Sequence, residues 1–203
     1  MTTDGGVRRL PQQGRSAARV AEILGAARRL LQTSEVGEVT IRAIADEAAV
    51  GPASVYRYFA DVDEIIDVLL AEHAHASADA VQRALASTTA RTVGGVFEAV
   101  LRAFLRLYAE HPELAVMWRS PVLADRQRRH DQTADRAIAR EIGRHLVRIG
   151  AIADARRATV DRLAVHFDVA GTLLGAVLRA DRRTRPALEA DLFALVRHLG
   201  SRF

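Results

Sequence analysis

At 203 residues the chain is long enough for one two-part globular unit or two small domains. Hydrophobic residues make up 49% and aromatics 5%, so aliphatic side chains must fill most of any core. The formal net charge is +4, all 29 basic residues are Arg, and the absence of Cys excludes disulfides and thiolate metal sites. Residues 1–15 carry Gly, Gln, Pro and Arg without periodicity and read as a flexible basic arm. Arg8, Arg9 and Arg15 have the chemistry to follow DNA into the minor groove, although a tail without contacts is the preferred reading. No apolar stretch follows Arg8 and Arg9, so no secretory leader is expected. No apolar run approaches the length of a bilayer span, and the expected location is the cytoplasm.

A first helix is expected over Ser16–Gln32, with Ile23, Leu24, Ala26, Ala27, Leu30 and Leu31 facing a core. The stretch from Thr40 to Phe59, TIRAIADEAAVGPASVYRYF, then reads as two short helices joined by a tight turn. Thr40 is a good N-cap, and Ile41, Ile44, Ala45 and Ala48 recur at helical spacing. Gly51 caps the next helix, and Pro52 fits its first position, where no N–H is needed. Val55 and Phe59 lie four apart and anchor that helix. Ala53 and Ser54 leave its first turn slim enough to approach base edges, and Tyr56, Arg57 and Tyr58 suit phosphate and base contacts. Thr40 and Arg42 would position the pair on phosphate. This is helix-turn-helix geometry, in which the start of the second helix meets bases in the major groove.

The fourth helix starts near Asp61, with Glu64 closing a capping box, and continues to about Leu85. Phe97, Leu101, Phe104, Leu105 and Tyr108 form a stripe on a helix ending near Glu110. A short helix opened by Pro112 carries Leu114, Met117 and Trp118. A long polar helix follows from about Leu123 to Ile149, with Gly150 as its C′ residue. Helices over about Arg157–Ala180 and Arg185–Ser201 complete the chain. The expected class is all-α, with about nine helices: a head over residues 16–62 and a helical ligand-binding and dimerisation domain over 63–203.

Leu163–Leu178 is apolar on more than one face and is expected to be buried on several sides. Gly171 and Gly175 would admit a neighbouring helix closely. The expected dimer interface comprises His166, Ala170, Gly171, Leu174, Gly175, Leu178, Leu192, Leu195 and Leu199, the alternative being completion of the monomer core. Phe97, Leu101, Phe104, Tyr108, Met117, Trp118 and Phe167 are candidates to line an apolar ligand cavity, with Arg119, His166 and Asp168 as polar groups beside it. Glu72, His73, His75 and Asp79 offer only one i, i+4 ligand pair, so they read as a solvated polar patch and no metal is expected. No nucleophile elbow, phosphate loop or metal motif is present, so an enzyme is not expected and no cofactor is implied.

From Val20 to Leu70 the order and spacing of these residues resemble the DNA-binding domain of the TetR family of transcriptional regulators. The match rests on the first-helix stripe, Thr40, Ile44-Ala45, Ala48-Ala49-Val50, Tyr56-Arg57-Tyr58-Phe59 and Asp61-Val62-Asp63-Glu64-Ile65. The resemblance implies a homodimer formed through the last helices, binding a double-stranded, near-palindromic operator. It also implies a C-terminal domain that takes a small effector, apolar by the residues above, and a repressor released from its operator by that effector. An activator of the same fold, an all-α enzyme and a protein-binding adaptor are the alternatives. Two departures stand out. The family usually has Gly where Ala49 stands, and commonly a phosphate-binding Lys where Val62 stands.

Overall fold

The computed structural model describes residues 9–34, 36–112, 114–115 and 136–203, with side chains from Ser16 onward. Among these residues the secondary structure is entirely helical. The helices are α1 (Arg9–Thr33), α2 (Ile41–Glu47), α3 (Pro52–Tyr56), α4 (Val62–Ser87), α5 (Val93–Glu110), α6 (136–148), α7 (Arg157–Arg179) and α8 (Arg185–Gly200). The expected helix around Met117 and Trp118 and the start of the polar helix lie outside the described residues. The chain divides into two compact units, Met1–Leu69 and Leu70–Phe203.

In the first unit, α1 begins at Arg9, seven residues before the expected Ser16, so the basic arm is not irregular throughout. Pro11 permits this because it stands in the first turn, where a missing N–H costs no intrahelical bond. Ile23, Leu24, Ala27 and Leu31 of α1 are buried, as are Ile44 and Ala45 of α2, Val55 of α3, and Ile65 and Leu69 of α4. Burial of a side chain such as Ile44 contributes about 2 kcal/mol, and aliphatic residues of this kind hold α2 and α3, two helices too short to persist alone. Each element start is chemically marked. The Thr40 hydroxyl oxygen accepts the Ala43 N–H at 3.1 Å, and Asp61 accepts the Glu64 N–H at 2.9 Å. The Glu64 carboxylate reaches back one residue further than expected, to the Ala60 N–H at 2.6 Å.

The turn after α2 is a Schellman motif: Val50 N–H donates to Ala45 O at 2.9 Å and Ala49 N–H to Asp46 O at 3.1 Å. That pattern places its C′ residue in the left-handed region, and Ala49 has φ 53°. The same motif ends α6, where Ala151 N–H donates to Leu146 O and Gly150 N–H to Val147 O, but there the C′ residue is Gly150 at φ 73°. A Cβ at such a φ costs about 1 kcal/mol. Ala49 is exposed, so its methyl returns little burial energy. Ala49→Gly is therefore expected to stabilise the protein by about 1 kcal/mol and raise its melting temperature by a few degrees, read by thermal unfolding.

In the second unit, α5 and α8 pack together, as do α7 and α8. The α5–α8 contact depends on glycine at both surfaces. A Cβ on Gly94 would stand 3.2 Å from the Arg197 backbone, and one on Gly200 would fall within van der Waals contact of the Gly94 backbone. Beside this contact Arg197 Nη1 donates to Glu98 at 3.3 Å and Arg102 Nη2 to Glu98 at 2.7 Å. The Arg102 guanidinium lies 4.5 Å from the centroid of the Phe193 ring. The Arg102 hydrogen bond, reinforced by Arg197, holds the Glu98 carboxyl below its ordinary range.

Candidate nucleic-acid interface

The first unit presents one face of α3 outward. Val55 is fully buried, and a 100° step per residue puts Ala53 and Arg57 on the opposite side, one turn apart. Both are exposed, with Gly51 and Pro52. Tyr56 is 59% exposed, a large value for an aromatic side chain in a head otherwise held by aliphatic burial. Ser54 and Tyr58 are half-buried on the flanks. Tyr58 and Phe59 N–H both bond to Val55 O, at 2.9 and 3.0 Å, which fixes the exit of the helix. Phe59 is buried.

Thr40 and Arg42 are exposed at the start of α2. The Thr40 oxygen is occupied as a cap, but the hydroxyl proton stays available to a phosphate oxygen. Val62 is half-buried on the first turn of α4, flanked by Asp61, Asp63 and Glu64. No cation stands where a lysine would meet phosphate. Arg29 was absent from the sequence-based site. It reaches from α1 to the end of α2, where its Nε donates to the Glu47 carboxylate at 2.6 Å and its Nη2 to the Glu47 carbonyl at 3.4 Å. This clamp ties α1 to the strained turn and so positions α3. The two residues are 18 apart in sequence, beyond the reach of any helical-spacing argument.

The candidate ligand residues gather in the second unit. Phe97, Leu101, Phe104 and Tyr108 are buried on α5 and Phe167 is half-buried on α7, its ring centroid 5.8 Å from that of Phe104. Met117, Trp118 and Arg119 lie outside the described residues. His73 corrects the solvated-patch reading of its neighbours. It is buried, its Nε2 lies 2.9 Å from the Tyr108 hydroxyl, and the two rings stack at 5.8 Å. Burial pushes its pKa from 6.5 to about 4. Glu72 is half-buried and only His75 and Asp79 are exposed.

A histidine held neutral in the fold binds fewer protons than in the unfolded chain between pH 4 and 6.5. Its stabilising contribution is therefore complete above pH 6.5 and falls as acid is added toward pH 4, by up to about 3 kcal/mol. His145 and His166 shift in the same direction, through desolvation first and neighbouring Arg charges second. Urea unfolding at pH 7 and pH 4.5 is expected to show this loss, and His73→Gln is expected to flatten the part that His73 supplies.

The candidate dimer residues divide by exposure. Ala170, Leu174, Gly175 and Leu192 are buried. His166, Gly171, Leu178, Leu195 and Leu199 are half-buried. The His166 ring meets Phe203 edge-on at 5.2 Å and its Nδ1 is buried with no hydrogen-bond partner among the described residues, while Asp168 is exposed. Val165 and Val169 of α7 are 61% and 42% exposed and lie four apart on one face. Among the described residues no three His, Cys, Asp or Glu side chains gather as a metal site, and no helix is long and apolar enough to cross a membrane.

Comparison with known proteins places this geometry. A family model described as bacterial regulatory proteins of the tetR family matches residues 23–69, and one described as the tetracyclin repressor-like C-terminal domain matches residues 92–199, more than half of the chain. The chain belongs to the TetR family. It is a DNA-binding transcriptional regulator by that membership, and TetR regulators bind DNA as dimers. Solved structures share the fold. A TetR-family regulator from Streptomyces coelicolor is 20% identical, with a TM-score of 0.61 over 91% of this chain and 98% of its own. The fatty acid degradation regulator FadR from Bacillus halodurans is 16% identical, with a TM-score of 0.63 over 90% and 93%. A transcriptional regulator from Cytophaga hutchinsonii is 14% identical, with a TM-score of 0.63 over 89% and 95%. No functionally curated protein matches the chain.

Proposed function

We propose that this TetR-family regulator is a cytoplasmic homodimeric repressor that binds a near-palindromic operator and is released from it by a small apolar effector. The observation that carries the operator reading is the outward face of α3. Ala53 and Arg57 stand opposite the buried Val55, on a helix fixed at its start by the Gly51–Pro52 entry and at its end by bonds to Val55 O. In this reading Thr40 and Arg42 take phosphates, Pro52, Ala53 and Ser54 approach bases, and Tyr56, Arg57 and Tyr58 combine both kinds of contact. Residues 16–62 form the head and residues 63–203 hold the effector and the partner subunit.

Val165 and Val169 give α7 an apolar face for a second copy, and a two-fold dimer matches two half-sites. The aromatic group of Phe104, Tyr108 and Phe167, with the His73–Tyr108 hydrogen bond inside it, is the candidate effector region. An effector releases DNA only if it binds the free conformation more tightly than the operator-bound one. Repression is preferred because occupancy of a promoter blocks polymerase without a further contact. The test is selection of bound fragments from the source genome in the presence of competitor DNA, followed by footprinting. Recovery of a short near-palindrome supports the reading, and purely salt-sensitive, sequence-independent binding refutes it.

A further inference from the structure

We propose that Ser77 of α4 is a hydrogen-bonding contact for the effector, and that the effector is an uncharged, mostly hydrocarbon molecule carrying a hydroxyl or carbonyl oxygen. The proposal rests on the effector reading above and deepens it by naming the chemistry of the ligand. The buried face of α4 runs through His73, Ser77, Ala80 and Ala84, at helical spacing. Only 7% of Ser77 is exposed, yet its Oγ has no hydrogen-bond partner among the described residues. A buried hydroxyl without a partner is costly, and alanine, which occupies the next turns of the same face, avoids that cost. A serine or threonine inside a helix can satisfy its hydroxyl on the carbonyl one turn back. Ser87 does so on this same helix, with Arg83 O at 2.8 Å, and Thr172 does so on α7, with Asp168 O at 3.1 Å. Ser77 makes no such bond to His73.

Residues 88–92 join α4 to α5, a connection short enough to make the two helices antiparallel neighbours. The His73–Tyr108 hydrogen bond sets their register, so the turn after His73 on α4 faces the turn before Tyr108 on α5. Ser77 accordingly stands opposite Phe104, whose ring meets those of Tyr108 and Phe167. The orphan hydroxyl therefore belongs to the aromatic group assigned to the effector. Among the described residues the buried polar side chains are His73, Ser77 and His145, and none is Asp, Glu or Arg. Burial also keeps His73 neutral. A carboxylate or ammonium group brought to Ser77 would lose its water and meet no counter-charge there. A hydroxyl or carbonyl oxygen needs a single hydrogen bond, which a serine supplies as donor or acceptor. The rest of such a molecule meets aromatic and aliphatic carbon.

The test is isothermal titration calorimetry of the full-length protein at neutral pH with decanol, methyl decanoate, decanoate and decylamine, which share a chain and differ in the head group. Decanol and methyl decanoate are expected to bind, and decanoate and decylamine to bind at least about tenfold more weakly. Ser77→Ala should weaken decanol binding about five- to tenfold, the size of one hydrogen bond. The same variant without ligand should melt no earlier than the parent protein, because no internal bond is lost and alanine favours the helix. An earlier melt would mean that the hydroxyl is bonded within the protein, and overturns the inference. Decanol binding that is unchanged in Ser77→Ala also overturns it. Preferred binding of decanoate or decylamine overturns the inference but leaves the effector reading standing. Failure of all four to bind overturns both.

Discussion

Arg57→Ala is expected to lower operator affinity of the dimer by about a hundredfold or more while leaving the melting temperature almost unchanged. The guanidinium is exposed at the end of α3, opposite the buried Val55, so its removal opens no cavity and breaks no core contact. A guanidinium that meets a base edge or phosphate contributes about 1–3 kcal/mol of binding, and a dimer loses it in both heads. Arg57→Lys separates two roles. Lysine retains the charge but not the planar fork, so it should restore a phosphate contact and fail to restore a bidentate base contact. Fluorescence anisotropy at one fixed salt concentration reads both. An unchanged affinity in Arg57→Ala removes the residue from the interface.

Gly200→Ala should cost more stability than the same change at Gly94, Gly95 or Gly143. The added Cβ would press on the Gly94 backbone, and backbone cannot rotate aside as a flexible side chain can. Relief requires the end of α8 to move away from α5, which disturbs the Arg197–Glu98–Arg102 bonds beside it. Overpacking of this kind costs about 1–3 kcal/mol. Chemical denaturation should show an earlier midpoint at an unchanged slope. A neutral result would mean that the last turn of α8 yields freely. Gly94→Ala faces a milder contact and should cost less.

The head was legible because its information is local. Thr40, Gly51–Pro52 and Asp61 mark three helix starts with chemistry that operates within a few residues, and the structure has the expected caps. The strain at Ala49 was legible only through the resemblance, which puts glycine where this alanine takes a positive φ. The second unit was less so. On α7, apolar residues occupy several faces, and periodicity cannot separate a core face from a partner face. Ala170 and Leu174 turn inward, whereas Val165 and Val169 turn outward. Gly94 and Gly200 make a close approach between helices far apart in sequence, which helical spacing cannot reveal. His73 looked like a member of a polar patch because its partner, Tyr108, is 35 residues away. Arg29 and Glu47 were missed on the same ground.

The alanine at the α2–α3 turn also bears on how this regulator can change. Alanine and glycine codons differ at a single base, so the relaxed turn is one mutation away in any population carrying the gene. Selection for heat tolerance would have that step within reach and would meet no packing obstacle, because Ala49 is exposed.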